Sequence, residues 1–121
     1  GMEDAIPLQF RAAWHAAKKP QMTVLPYKSY VERWGLWRDG SWFIVGRGTD
    51  CTSSSAWCQV EFHSHPAALG STGWPNVPSS EDIVHLVDRS IAIEEPCAEL
   101  IVTPAGLLFV IVSSALLADL L

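Results

Sequence analysis

The chain has 121 residues, a formal net charge of −5, 49% hydrophobic residues and 17% charged ones, which fits one compact domain and excludes the basic surface that phosphate binding needs. The charged fraction lies below the roughly 25% of ordinary globular domains, so part of the surface is expected to meet another protein or a second copy. Cys51, Cys58 and Cys97 are odd in number and form no Cys-x-x-Cys pair, a pattern of reduced cysteines in a cytoplasmic protein and not of a thiolate metal site.

In chain order, Gly1 ahead of Met2 reads as a cloning remnant, leaving 2–121 as a single domain. Ile6, Phe10, Ala13, Trp14 and Ala17 form an apolar stripe that predicts a helix over 7–18, ended by Pro20, with His15 on its surface. Strands are expected over 29–37 and 41–47, joined at Arg38-Asp39-Gly40, because Asp-Gly between apolar runs is a strong hairpin signal. Residues 52–55 read as a polar loop. Next, Cys58, Val60, Phe62 and Ser64 alternate with Gln59, Glu61, His63 and His65, the period of a strand with one buried face. A helix follows Ser79 with Ile83, Leu86, Val87 and Ser90 inward and His85 towards solvent. Runs 99–103 and 107–112 read as buried strands about the turn Pro104-Ala105-Gly106. They are too short and interrupted for the roughly 20 apolar residues of a membrane span, and no signal peptide opens the chain. Ser113 or Ser114 then caps a short helix over 115–121, whose leucines suggest a homodimer interface. Most of the six tryptophans, including Trp34, Trp37, Trp42 and Trp57, are expected to pack beside strands.

The chemistry concentrates in Glu61-Phe62-His63-Ser64-His65-Pro66 and Pro78-Ser79-Ser80-Glu81-Asp82. Strand periodicity puts both imidazoles on one face, roughly 6.6 to 7 Å apart at their backbones, and Pro66 ends the strand so that the pair opens into a loop. Ser79 and Asp82 have the spacing of an N-cap and its third helical residue, the capping box that opens many ordinary helices. Two histidines with a carboxylate on a first helical turn also make a metal set that leaves a position for water. Glu32 falls on the same alternating face as Tyr30, Trp34 and Leu36, where an unpaired carboxylate is costly and burial raises its pKa towards proton-shuttling use. Pairing of Glu32 with Arg33 is the plain alternative, and Glu61, on the histidine face, is its competitor.

His63-Ser64-His65-Pro66 followed by Ser79-x-x-Asp82, with Glu32-x-x-Gly35-Leu36 upstream, resembles the JAB/MPN (JAMM) metallopeptidase motif. The resemblance covers motif content only between Glu32 and Asp82, and the insert 67–78 is longer than the family pattern. It implies a three-layer α/β/α domain with a mixed central sheet, JAB/MPN-like and cytidine-deaminase-like. It also implies zinc held by His63, His65 and Asp82, Glu32 as general acid/base, and Ser79 positioning the water and stabilising the tetrahedral intermediate. The substrate would be a protein or peptide amide, such as the tail of a ubiquitin-like or sulfur-carrier-like protein. Trp74, in the Gly- and Pro-rich insert, is a candidate for pressing on an extended substrate segment.

Two other classes compete with this one: an inactive member that keeps the fold as a scaffold or binding module, and a two-histidine, one-carboxylate iron oxygenase. The second is disfavoured because Asp82 opens a helix. There is no His-Glu-x-x-His, and Pro96-Cys97 lacks a deaminase's second cysteine.

Overall fold

The structure is a computed structural model that describes residues 2–28, 32–47, 58–66 and 76–121. The sheet has five strands in the order β2-β1-β3-β4-β5: β1 (Arg33–Arg38), β2 (Ser41–Arg47), β3 (Val60–Ser64), β4 (Ala98–Thr103) and β5 (Gly106–Ile111). All pairs are antiparallel except β3 with β4. Parallel neighbours need a long crossover, and the helix α4 (Ser80–Ile93) lies between them in the chain. The protein is therefore a mixed α/β fold.

The β1–β2 hairpin forms where Asp-Gly predicts it. Asp39 and Gly40 both take positive φ, 53° and 76°, as the tightest hairpin turn demands. Further along, a bulge interrupts the ladder between Trp34 and Gly35. A Cβ on Gly35 would run into the carbonyl oxygen of Phe43 and the ring of Phe62, so the glycine of Glu32-x-x-Gly35 is a packing requirement.

Residues 7–18 do not form one helix. A 3₁₀ turn, Leu8–Phe10, leads into α1 (Arg11–Ala17), after which Lys19 is extended and Pro20 opens the turn α2 (Pro20–Thr23), followed by α3 (Leu25–Lys28). Proline's fixed φ suits a first helical position, so Pro20 both ends one helix and starts the next. Ile6, Phe10 and Ala13 pack with Val60 and Ala98, while Ala17, Met22 and Leu25 pack with Phe62, Leu100 and Val102. Trp42 seals this face, its ring edge-on to Phe62 at 5.6 Å and its Nε1 donating to the Ala13 carbonyl at 3.0 Å.

The opposite face carries α4 and α5 (Ser114–Leu120), where Leu86, Cys97, Val112 and Leu117 form a second core. Only Leu117 of the C-terminal leucines is buried; Leu116, Leu120 and Leu121 are exposed. Ile83, expected inward, is also exposed at 39%, and Arg89 takes an inward position instead. Because β3 lies between β1 and β4 with packing on both faces, all five of its residues are buried, a correction to the half-buried strand the alternation suggested. Among the described residues no helix is long and apolar enough to cross a membrane, and Cys58 and Cys97 are free thiols.

Candidate metal centre

β3 supplies the histidines and α4 the carboxylate. Glu61 and His63 share one face of β3, and the ladder continues one residue beyond it, with the His65 N–H donating to the Val102 carbonyl at 2.8 Å. Ser79 caps α4: its Oγ accepts the Asp82 N–H at 3.1 Å, while the Ser79 N–H donates to Asp82 Oδ2 at 2.9 Å. That reciprocal pair fixes the Asp82 rotamer and aims its carboxylate at the strand end. The helix then returns along β3, so residues one and two turns further on meet Glu61. The site thus sits at the carboxyl end of a parallel strand, beside a helix N-terminus.

The three predicted ligands converge. His63 Nε2 lies 3.1 Å from His65 Nε2 and 3.2 Å from Asp82 Oδ1, and His65 Nε2 lies 3.1 Å from Asp82 Oδ2. Donors about 2.0–2.1 Å from a tetrahedral zinc are about 3.3–3.4 Å from one another, so the set fits a single cation after a shift of a few tenths of an ångström. His63, His65 and Asp82 therefore form a group that could hold a metal ion.

Charge supports the same reading. Burial works against a charge on His63, but hydrogen bonds to Asp82 and Glu99 outweigh it and push its pKa up to about 10. Burial likewise favours a neutral Asp82, yet the imidazoles and the Ser79 N–H hold its carboxyl well below the usual carboxylate range. Among the described residues the ion pairs of this network join Asp82, Glu61 and Glu99, three carboxylates, to the imidazoles and to the guanidinium of Arg89. A divalent cation would displace the His63 proton, because a ligating imidazole is neutral, and about two negative charges would then face it.

Ser64 Oγ accepts the Arg33 N–H at 2.9 Å, and Glu61 takes Arg89 Nη1 at 2.7 Å with His85 Nε2 at 3.6 Å. The carboxylate on His63 Nδ1 is Glu99, at 3.1 Å. His85 is half-buried on Glu61, not solvent-facing, and that contact raises its pKa against the cost of burial. Sequence reasoning missed Glu99 and Arg89, although both left a signal. An arginine seven residues after Asp82 falls on the same helix face, and a glutamate opening a buried strand needs a partner.

Glu32 is half-buried, immediately before β1. Trp34 pairs with His63 and Leu36 with Glu61, so continuing that register one step sets Glu32 across from His65. It is not one of the three converging ligands. Trp74, Trp57, Cys51 and most of the 67–78 insert lie outside the described residues. Compared with models of known families, with curated proteins and with solved structures, the chain matches none.

Proposed function

We propose that this chain is a zinc-dependent metallopeptidase of JAMM type that hydrolyses an amide or isopeptide bond. The carrying observation is the convergence of two imidazole nitrogens and one aspartate carboxylate within 3.1–3.2 Å of one another, on side chains the motif assigns to zinc. Helices on both faces of a mixed sheet, with the site between β3 and α4, agree with a three-layer JAB/MPN-like domain.

Zinc bound to these residues supplies Lewis acidity and makes water nucleophilic near neutral pH. His63, His65 and Asp82 would hold the ion. Glu32, across from His65, would accept the proton of the attacking water and return it to the leaving amine. Ser79 accepts the Asp82 N–H, which still leaves its hydroxyl proton to donate to the oxyanion. An extended segment at the tail of a ubiquitin-like or sulfur-carrier-like protein suits a site that opens at a strand end, and the three cysteines suit the cytoplasm.

The test pairs metal content with cleavage. Purified wild type carries one zinc per chain and cleaves a fluorogenic peptide ending in a ubiquitin-like tail. Glu32→Gln keeps the zinc and loses about 10²–10⁴ in turnover. A wild type without stoichiometric zinc, or a Glu32→Gln protein of undiminished activity, would refute the proposal. Zinc without cleavage would favour the binding module.

A further inference from the structure

We propose that Glu99, clamped by Arg89, is the positioning residue that holds His63 in the tautomer and ring orientation a divalent cation needs. The inference rests on the metal reading above and deepens it.

Glu99 and Arg89 are each 4% exposed, and a buried charge persists only when paired and hydrogen-bonded. Glu99 divides its two oxygens: Oε2 meets His63 Nδ1 at 3.1 Å, and Oε1 accepts Arg89 Nη1 at 3.1 Å. A carboxylate on Nδ1 keeps the proton on that nitrogen, so the one a cation displaces is on Nε2, whose lone pair then faces His65 and Asp82. Without it, the ring's last torsion is soft, and either nitrogen could carry the proton.

Arg89 gives this anchor its stiffness. Its Nη2 donates to the Ala98 carbonyl at 2.7 Å, on the residue before Glu99, and its Nη1 also donates to Glu61 at 2.7 Å. The guanidinium fork therefore ties β3, β4 and the Glu99 carboxylate together. Arg89 and Asp82 lie on one helix, seven residues or roughly 10 Å apart. One rigid element thus places the carboxylate ligand directly and the histidine ligand through Glu99.

Glu99→Gln preserves shape and still accepts from Arg89, but it sets an amide against His63 Nδ1. Zinc affinity, read by competition with a chromophoric chelator, should fall roughly 10–100-fold, and the absorption of the cobalt-substituted protein should change. Glu61→Gln removes the other carboxylate on Arg89 and leaves the Glu99–His63 contact in place, so it should lose stability but lose much less zinc affinity than Glu99→Gln. In zinc-loaded wild type, NMR should show His63 protonated at Nδ1 with that proton shifted downfield and slow to exchange, as a hydrogen bond to the buried Glu99 carboxylate requires; an Nδ1 proton with neither property would overturn the inference even if Glu99→Gln fails to fold. Wild-type affinity in Glu99→Gln, an equal loss in Glu61→Gln, or a proton on Nε2 would overturn the inference and leave the metal reading standing. A wild type that binds no zinc would overturn both.

Discussion

Asp82 caps α4 and is the proposed carboxylate ligand, two roles that two substitutions can separate. Ser79→Ala removes the acceptor of one capping hydrogen bond, which costs about 1 kcal/mol and roughly 3–6 °C in Tm for a chain of this length. Asp82→Ala removes the partner of the Ser79 N–H and of both imidazoles. Charge-assisted hydrogen bonds are worth about 1.5–3 kcal/mol each, so its metal-free baseline should lie below that of Ser79→Ala. The decisive quantity is the zinc increment, measured by urea denaturation with free zinc buffered at about a hundred times the wild-type Kd. Wild type and Ser79→Ala should each gain about 2.7 kcal/mol. A thousandfold weaker site gains less than about 0.1 kcal/mol at the same free zinc, and that is the result expected of Asp82→Ala. Equal zinc increments in all three proteins would show that Asp82 only caps a helix.

Gly35→Ala forces a methyl into the Phe43 carbonyl and the Phe62 ring. Backbone yields less readily than a flexible side chain, so the loss should reach the upper end of about 1–3 kcal/mol, and an unchanged urea midpoint would contradict the close approach. A pH effect should come from His85, whose pKa is raised by the Glu61 carboxylate 3.6 Å away against burial, with Arg89 opposing and Glu99 assisting through their charges. A group raised in the folded state contributes stability that is complete below its unfolded value near 6.5 and is lost as pH climbs through the higher folded value. Relative to His85→Gln, the wild type should therefore lose thermal stability as pH rises from about 6.5; parallel profiles would rule the contact out.

Residues that signal through their near neighbours in the chain are legible in the sequence alone. The shared face of His63 and His65 follows from strand periodicity, the capping pair Ser79 and Asp82 from a three-residue spacing, and the Asp39-Gly40 turn from the left-handed backbone a tight hairpin demands. The helix expected over 7–18 falls short for an equally local reason. The apolar stripe is present and the helix ends before Pro20 as expected, but its first turn is 3₁₀, so only 11–17 is α-helical.

What the chain order could not reveal depends on which strands become neighbours. His63 and Glu99 are 36 positions apart, and they meet only because the crossover through α4 makes β3 and β4 parallel partners. The same pairing puts β3 inside the sheet, buries both of its faces, and turns Glu61, Arg89 and Glu99 from isolated charged residues into one network. Local sequence thus determined the candidate ligands and their cap, because those rest on periods and turns. Tertiary structure alone decided what holds the ligands in place, because a buried charge takes its partner from across the fold.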